Sequence, residues 1–191
     1  MVSQRDPSIH AVLPLRGKVL NVIDRDIQSI LSNVEIRSMI NAIGIGVRQK
    51  QSIDRIRYSK IVICTDADVD GLNIRALLLG ALCYLVPEAV SRGHVYVAEV
   101  PLFGQYAQKR KRGSKEEFVP IYEQSKLDSS KKFYRYKGLG SMQPEELAAV
   151  TFDHSIRRLV QVTLDNVDEV CKIVGNASYR KDLLVSLGIV S

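Results

Sequence analysis

The sequence contains no tryptophan, few cysteines and no long apolar run. Its three cysteines are far apart and none belongs to a C-x-x-C pair, so neither a disulfide framework nor a zinc cage is indicated. No apolar run approaches the roughly 20 residues that a membrane span requires. The first residues lack the basic and apolar segments of a secretion signal. These absences predict a cytoplasmic protein without a membrane partner.

The composition is that of a globular domain with an excess of basic residues. Of the 191 residues, 46% are hydrophobic and 25% are charged, which is enough apolar material for one ordinary domain. The net charge is +6, and an acidic centre at residues 65–104 lies between two basic stretches. This distribution is expected where carboxylates hold a divalent cation and flanking cations neutralise phosphates. An uneven, solvated surface is the alternative.

A continuous apolar run at residues 60–65 is rich in β-branched side chains, which is typical of a strand buried in a parallel sheet. After Gly71, apolar residues at helical spacing predict a helix that stops before Pro87, and a second strand pattern covers residues 95–100. Strand, helix and strand in this order predict a βαβ unit, in which ligands bind at the carboxyl ends of the strands. The other predicted elements are an irregular strand and loop at 12–22, two short helices within 27–43, a hairpin at 102–122, a strand at 133–136, a helix at 144–150, a strand at 159–164 and two helices within 166–187.

Asp66, Asp68 and Asp70 follow the first strand of this unit. In an extended backbone, residues two apart project to the same side, and close carboxylates repel one another unless a hard cation neutralises them. Oxygen ligands without histidine or cysteine favour Mg²⁺, which takes its remaining ligands from water and substrate phosphates. The spacing therefore predicts a magnesium site.

Three other interpretations of the D-x-D-x-D-G segment compete with magnesium. A calcium EF-hand loop follows a helix and ends in glutamate at its twelfth position, whereas this segment follows a strand and has Leu77 there. A phosphatase-type D-x-D-x-T/V loop also follows a buried strand, but its fifth position is Asp70 here. A solvated Asp-rich turn is the third interpretation, and it is costly at the end of a buried strand unless a cation is bound.

The segment at residues 65–75 reads TDADVDGLNIR and resembles the TDADVDGxHIR signature of the Toprim domain in type IIA DNA topoisomerases, the family of bacterial gyrase B and topoisomerase IV. Four further segments resemble that family in order and spacing: LPLRGKVLNV at 13–22, RGHVYVAEVPLF at 92–103, YKGLGSMQPEEL at 136–147 and FDHSIRRLVQVTL at 152–164. The resemblance implies an α/β fold, a Toprim (Rossmann-like) parallel sheet flanked by helices. It places a Toprim domain at residues 1–150 and a C-terminal strand and helical tail at 151–191.

The resemblance also implies roles for individual residues. Asp66 and Asp68 are expected to be catalytic ligands of Mg²⁺, and Asp70 is expected to serve a second or alternative metal position together with Asp68. The residues expected to contact DNA are Arg16, Lys18, Asn21, Asn73, Arg75 and Lys137. Asn73 stands where the family usually has histidine. These roles fit in-line attack on a phosphodiester, in which a metal neutralises developing charge while cations position the phosphate.

One departure from the family concerns a glutamate. The family's Toprim domain begins with an EGDSA motif that supplies a metal-binding, acid/base glutamate, and no glutamate precedes Leu13 here. We expect another polypeptide to supply it, which would make this a naturally split large subunit resembling those of some T-even-type bacteriophage topoisomerases, acting in the host cytoplasm. Artificial truncation and gene decay are the alternatives. The expected partners are double-stranded DNA, an ATPase-bearing large-subunit polypeptide with the EGDSA motif, and a tyrosine-bearing cleavage subunit.

These expectations predict a subunit of an ATP-dependent type II DNA topoisomerase that is inactive alone. It would supply the Asp cluster of the Mg²⁺-dependent site for double-strand cleavage and religation. A free-standing Toprim nuclease or primase-like protein is a second hypothesis, against which the PLRGK and KGLG segments argue. A DNA-binding or assembly module that has lost catalysis is the third.

Overall fold

The computed structural model describes residues 1–16, 19–23, 25–48, 52–107, 117–163 and 172. The chain folds into two compact units. The first contains Met1–Val12, Cys64–Leu72 and Ala98–Val160, and the second contains Leu13–Ile63, Asn73–Val97 and the chain from Gln161 onward. Each unit has a hydrophobic cluster of its own.

The predicted βαβ unit is confirmed. It consists of strand β1 (Ile61–Ile63), helix α3 (Val69–Leu85) and strand β2 (Val95–Ala98), and β1 pairs with β2 in parallel. A short helix, α4 (Pro87–Ser91), begins at the proline that follows α3. Strand β6 (Leu159–Gln161) completes a sheet of order β1-β2-β6.

The two short helices predicted before β1 are also present, as α1 (Ile27–Ser32) and α2 (Val34–Ile43). The side chain of Asn33 caps α2 by accepting the backbone N–H of Ile36 at 3.0 Å. Gly44 ends α2 with a left-handed φ of 87°, which a glycine adopts without strain. The buried apolar residues of the second unit include Ile30, Ile36, Met39, Ile40, Leu77, Leu82, Leu85 and Val95.

An antiparallel sheet of order β4-β3-β5 forms the centre of the first unit. Its strands are β3 (Phe103–Ala107), β4 (Glu117–Ile121) and β5 (Phe133–Arg135), which confirms the predicted hairpin and the strand after it. Helix α5 (Pro144–Phe152) follows, close to its predicted bounds. The cluster of this unit is centred on the buried residues Tyr136, Met142 and Val150.

The largest differences between the structure and the sequence predictions are at three places. The described residues within 12–22 form no strand, β6 ends at Gln161 instead of residue 164, and α3 begins at Val69, before Gly71. Lys172 is helical, and the rest of the two helices predicted within 166–187 lies outside the described residues, as does the rest of the predicted helical tail. No helix in the described ranges has the length and apolar character needed to cross a membrane.

Candidate metal and phosphate site

Asp68 lies between β1 and α3 and caps the helix. Its Oδ1 accepts the backbone N–H of Gly71 at 2.7 Å, and its carbonyl oxygen accepts the N–H of Leu72 at 2.9 Å. These contacts satisfy two of the first N–H groups of α3, as an N-cap residue does. The helix therefore starts at Val69, and Asp70 lies in its first turn. The expectation that all three aspartates share an extended backbone is therefore wrong.

Gly71 lets the first turn of α3 lie against the backbone of Asp66. A Cβ atom added at Gly71 would collide with the Asp66 carbonyl oxygen. Because a carbonyl oxygen cannot rotate away as a side chain can, only glycine fits here without a shift of the helix start. Gly71 thus allows the start of α3 to lie close to Asp66, which follows strand β1.

The carboxylate of Asp66 is held by a loop that lies far away in the sequence. Its Oδ1 accepts the backbone N–H of Leu139 at 2.6 Å, across a separation of 73 residues. A Cβ atom added at Gly138 would lie 2.7 Å from the Asp66 Cγ, which is closer than non-bonded carbon atoms approach. The TDADVDG and YKGLG motifs therefore meet at Asp66.

Ser141 fixes the conformation of the YKGLG loop. Its hydroxyl donates to the carbonyl oxygen of Gly138 at 2.6 Å and accepts the backbone N–H of Lys137 at 3.1 Å. Residues Leu139–Ser141 form a single 3₁₀ turn. Lys137 and the N–H group that binds Asp66 are thus parts of one hydrogen-bonded loop.

A cavity of about 670 Å³ opens beside this loop in the first unit. Asp68, Arg135 and Lys137 line it, together with the apolar side chains of Leu102, Phe103, Leu127 and Phe133. One acidic and two basic residues thus line the same cavity, a combination suited to a divalent cation and a phosphate group. Arg135 was not among the residues predicted from the sequence, although it directly precedes the YKGLG motif.

Two family models match the sequence. The model described as Toprim domain matches residues 1–100, and the model described as DNA gyrase B subunit, carboxyl terminus, matches residues 128–177. The chain belongs to the Toprim family. Its Asp66 and Asp68 lie in the part matched by the Toprim model, and the loop that binds Asp66 lies in the part matched by the gyrase B model.

Relatives of this Toprim chain are named as the B subunit of DNA gyrase. The protein of Metamycoplasma hominis is 39% identical over 172 residues, which covers 89% of this chain and 26% of the relative. That of Mycoplasmoides gallisepticum is 38% identical over 195 residues, covering 95% of this chain and 29% of the relative. That of Mycobacterium tuberculosis is 37% identical over 185 residues, which covers 90% of this chain and 27% of the relative. The Toprim chain therefore spans between about a quarter and three tenths of these relatives.

The aspartates of the Toprim chain do not form a cage of three ligands. Among the described residues, no three histidine, cysteine, aspartate or glutamate side chains gather closely enough to hold a metal ion. Asp66 and Asp68 each use Oδ1 for a backbone N–H and carry a second carboxylate oxygen. Mg²⁺ is commonly bound by one or two carboxylates with water and substrate phosphates, so this donor set fits Mg²⁺.

The other predicted DNA-contacting residues belong to the second unit of the Toprim chain or lie outside the described residues. Arg16 is exposed, and Asn21 accepts the N–H of Ile23 at 3.1 Å through its side-chain oxygen. Asn73 is exposed and Arg75 half-buried on α3, whereas Lys18 lies outside the described residues. Of the five predicted residues that the structure describes, Lys137 is the one that lines the cavity with Asp68.

Tyr136 stands between Arg135 and Lys137 in the sequence, but its side chain is buried. Burial raises the pKa of its hydroxyl far above the ordinary value, because the charged phenolate would be removed from water. The hydroxyl lies against Gly104, where a Cβ atom would collide with it. The Tyr136 side chain packs with Met142 and Val150 in the hydrophobic cluster of the first unit.

Proposed function

We propose that this chain is part of a type II DNA topoisomerase subunit and supplies aspartates of the Mg²⁺-dependent site at which duplex DNA is cut and rejoined. The observation that carries the proposal is the convergence of Asp68, Arg135 and Lys137 on one cavity, beside the loop that binds Asp66. Membership of the Toprim family and the gyrase B relatives support it.

In this proposal, the aspartates of the site bind the metal ion and the basic residues bind the phosphate. Asp66 and Asp68 would hold Mg²⁺, which supplies neutralisation of negative charge at a phosphodiester. Arg135 can bind two phosphate oxygens through its planar guanidinium group, and Lys137 adds a point charge beside it. The N–H groups of Leu139 and Gly71 keep the two carboxylates oriented. These groups bind and orient the phosphate without forming a covalent bond to it.

The covalent step requires a partner polypeptide. A partner tyrosine oxygen would replace a deoxyribose oxygen on phosphorus, and attack by that deoxyribose oxygen would reverse the step during religation. The buried Tyr136 does not suit this role. We therefore propose double-stranded DNA, a tyrosine-bearing subunit and an ATPase-bearing polypeptide as partners. A second metal position at Asp70, the split-subunit arrangement and a bacteriophage-type relative remain predictions.

Relaxation of supercoiled DNA tests this function. The chain would be combined with candidate ATPase and tyrosine-bearing polypeptides, ATP and Mg²⁺, and the relaxation rate measured for the wild type and for Asp68→Ala. We expect Asp68→Ala to lower the rate at least about 100-fold, because a catalytic metal supplies several kcal/mol of charge stabilisation. Asp54→Ala is the matched control, since Asp54 is an exposed aspartate of the second unit.

The other hypotheses predict different outcomes of the same experiment. Relaxation that is unchanged by Asp68→Ala would contradict a catalytic role and favour a DNA-binding or assembly module. Metal-dependent nicking of plasmid by the isolated chain would favour a free-standing nuclease. ATP-dependent relaxation that needs the partners and is lost in Asp68→Ala supports the proposed function.

A further inference from the structure

The carboxylate of Asp66 lies directly on the backbone of the YKGLG loop. An added Cβ at Gly138 would lie 2.7, 2.8 and 2.9 Å from the Cγ, Oδ1 and Oδ2 atoms of Asp66. A side chain at position 138 would therefore collide with all three atoms of the Asp66 carboxyl group. The adjacent N–H of Leu139 donates to Oδ1 at 2.6 Å, which is short for a hydrogen bond from nitrogen and typical of a charged acceptor.

A glycine is required at position 138 because a side chain there would collide with Asp66. The backbone angles of Gly138 do not require glycine. Its φ of −178° and ψ of 179° describe an extended conformation that any residue adopts. A larger residue would therefore keep the backbone and collide with Asp66. Because the colliding atoms form the end of a rotatable side chain, the protein can relieve the collision by turning the carboxylate away. The expected consequence is a folded protein with a misplaced Asp66.

Gly140, two residues further along the same loop, lacks this constraint. A Cβ atom added at Gly140 meets nothing within 4 Å, and the residue is exposed. The two glycines therefore form a matched pair, in which the same substitution either contacts the Asp66 carboxylate or leaves it untouched.

We infer that Gly138 and the N–H of Leu139 are a positioning device that fixes the Asp66 carboxylate for metal binding. The inference rests on the proposed role of Asp66 as a ligand. The hydrogen bond holds one oxygen, and the absence of a side chain at Gly138 leaves room for the carboxylate in this orientation. Ser141 extends the device, because its hydroxyl links the Gly138 carbonyl to the N–H of Lys137. A phosphate contact by Lys137 and the orientation of Asp66 are thereby built into the same loop.

Metal binding by the full chain tests the inference. Mn²⁺, as a probe for the Mg²⁺ site, would be titrated into the wild type, Gly138→Ala and Gly140→Ala, and the dissociation constant measured by electron paramagnetic resonance of free Mn²⁺. We expect Gly138→Ala to weaken binding about 10-fold or more, as loss of groups that orient metal ligands does. Gly140→Ala should bind as the wild type does. Thermal unfolding should confirm that both variants fold.

A second measurement needs no metal. Hydrogen exchange of the Leu139 amide, followed by NMR in metal-free protein, should accelerate at least about 10-fold in Asp66→Ala and in Gly138→Ala, because the amide loses its acceptor. Asp54→Ala should leave this rate unchanged, since Asp54 is an exposed aspartate of the second unit.

The outcomes separate the inference from the function on which it rests. If Gly138→Ala is folded and binds Mn²⁺ as the wild type does, the positioning role is wrong while Asp66 can still be a ligand. If Asp66→Ala itself binds Mn²⁺ normally, the ligand role and the inference both fail. An unchanged Leu139 exchange rate in Asp66→Ala would show that the hydrogen bond does not hold the loop and would also overturn the inference.

Discussion

Asp128 orders the turn that precedes strand β5. Its carboxylate accepts the hydroxyl of Ser130 at 2.6 Å and forms an ion pair with Lys131 at 2.9 Å. Its carbonyl oxygen accepts the side-chain amide of Gln105 at 2.7 Å, which ties the turn to β3. The turn leads directly into β5, which carries Arg135. The charged form of Asp128 is therefore part of what orders this turn.

The ionisation of Asp128 should respond to these contacts. The hydroxyl of Ser130, and then Lys131, lower the pKa of Asp128 from 3.8 to about 2. Because the pKa is lower in the folded state, the stabilisation is fully present above pH 3.8 and is lost as the pH falls through about 2. Carboxyl carbon NMR should give a midpoint near 2 for Asp128 in the wild type. Ser130→Ala should raise this midpoint toward 3.8. Ser125→Ala, as control, should not, and equal midpoints in all three proteins would contradict the assignment.

Strand β5 determines which side chains face the cavity. Among the described residues it pairs with β3 alone, which places it at the edge of the sheet β4-β3-β5, and all three of its residues are exposed. Side chains alternate along a strand, so Phe133 and Arg135 share the face that lines the cavity with Asp68. Tyr134 projects from the other face. A one-residue shift in register would remove Arg135 from the site.

Arg135 should therefore contribute to DNA binding. We expect Arg135→Ala to weaken binding of duplex DNA similarly for different sequences and to reduce the slope of log K against log salt by about 1, because one phosphate contact is lost. Fluorescence anisotropy at several salt concentrations measures both quantities. Arg92→Ala is the control, since Arg92 is paired with Glu88 at 2.8 Å and does not line the cavity. An unchanged slope in Arg135→Ala would contradict the phosphate contact.

The sequence predicted the elements better than the contacts between them. Local patterns are enough for β1, α2 and α5, because a β-branched run, apolar residues at helical spacing and a proline at a helix start act over a few residues. The helix predicted after Gly71 begins earlier, at Val69, because the Asp68 side chain accepts an N–H group of its first turn. The Asp-x-x spacing from Asp68 to Gly71 is itself an N-cap signal that indicates the earlier start.

The same limit applies to the candidate site, whose predicted residues stay predictions. The aspartates and Lys137 carry motifs that can be recognised locally. The contact between Asp66 and Leu139 spans 73 residues, and no periodicity or spacing encodes such a pairing. Arg135 was missed because an exposed arginine on a short strand resembles an ordinary surface cation until the register places it beside Asp68.

At the scale of the whole molecule, the two compact units are each built from three separate stretches of the chain. A cut at one position in the middle of the chain therefore cannot release either unit intact. The domain boundary predicted after residue 150 falls inside α5, and β6 lies beyond it although it belongs to the sheet that contains β1 and β2. The units thus depend on residues from both sides of that boundary.

A chain ending at Val150 should consequently lose cooperative folding. The first unit would lose Phe152, whose ring stacks on His10 with centroids 4.6 Å apart. The second unit would lose the buried Val162, whose N–H donates to the carbonyl oxygen of Val95 at 2.9 Å. Urea unfolding followed by circular dichroism should show a lower midpoint or no cooperative transition for the shortened chain, compared with the full chain.

Point variants in β6 and just after it separate the loss of packing from the loss of length. Val162→Ala in the full chain should lower the free energy of unfolding by about 1–2 kcal/mol, because it removes buried methyl groups. Val160→Ala should change it by no more than about 0.5 kcal/mol, because Val160 is 50% exposed. If the chain ending at Val150 instead unfolds cooperatively at the midpoint of the full chain, residues 1–150 form a self-sufficient domain. The predicted boundary would then be correct, and the division into two interleaved units would not describe how the protein folds.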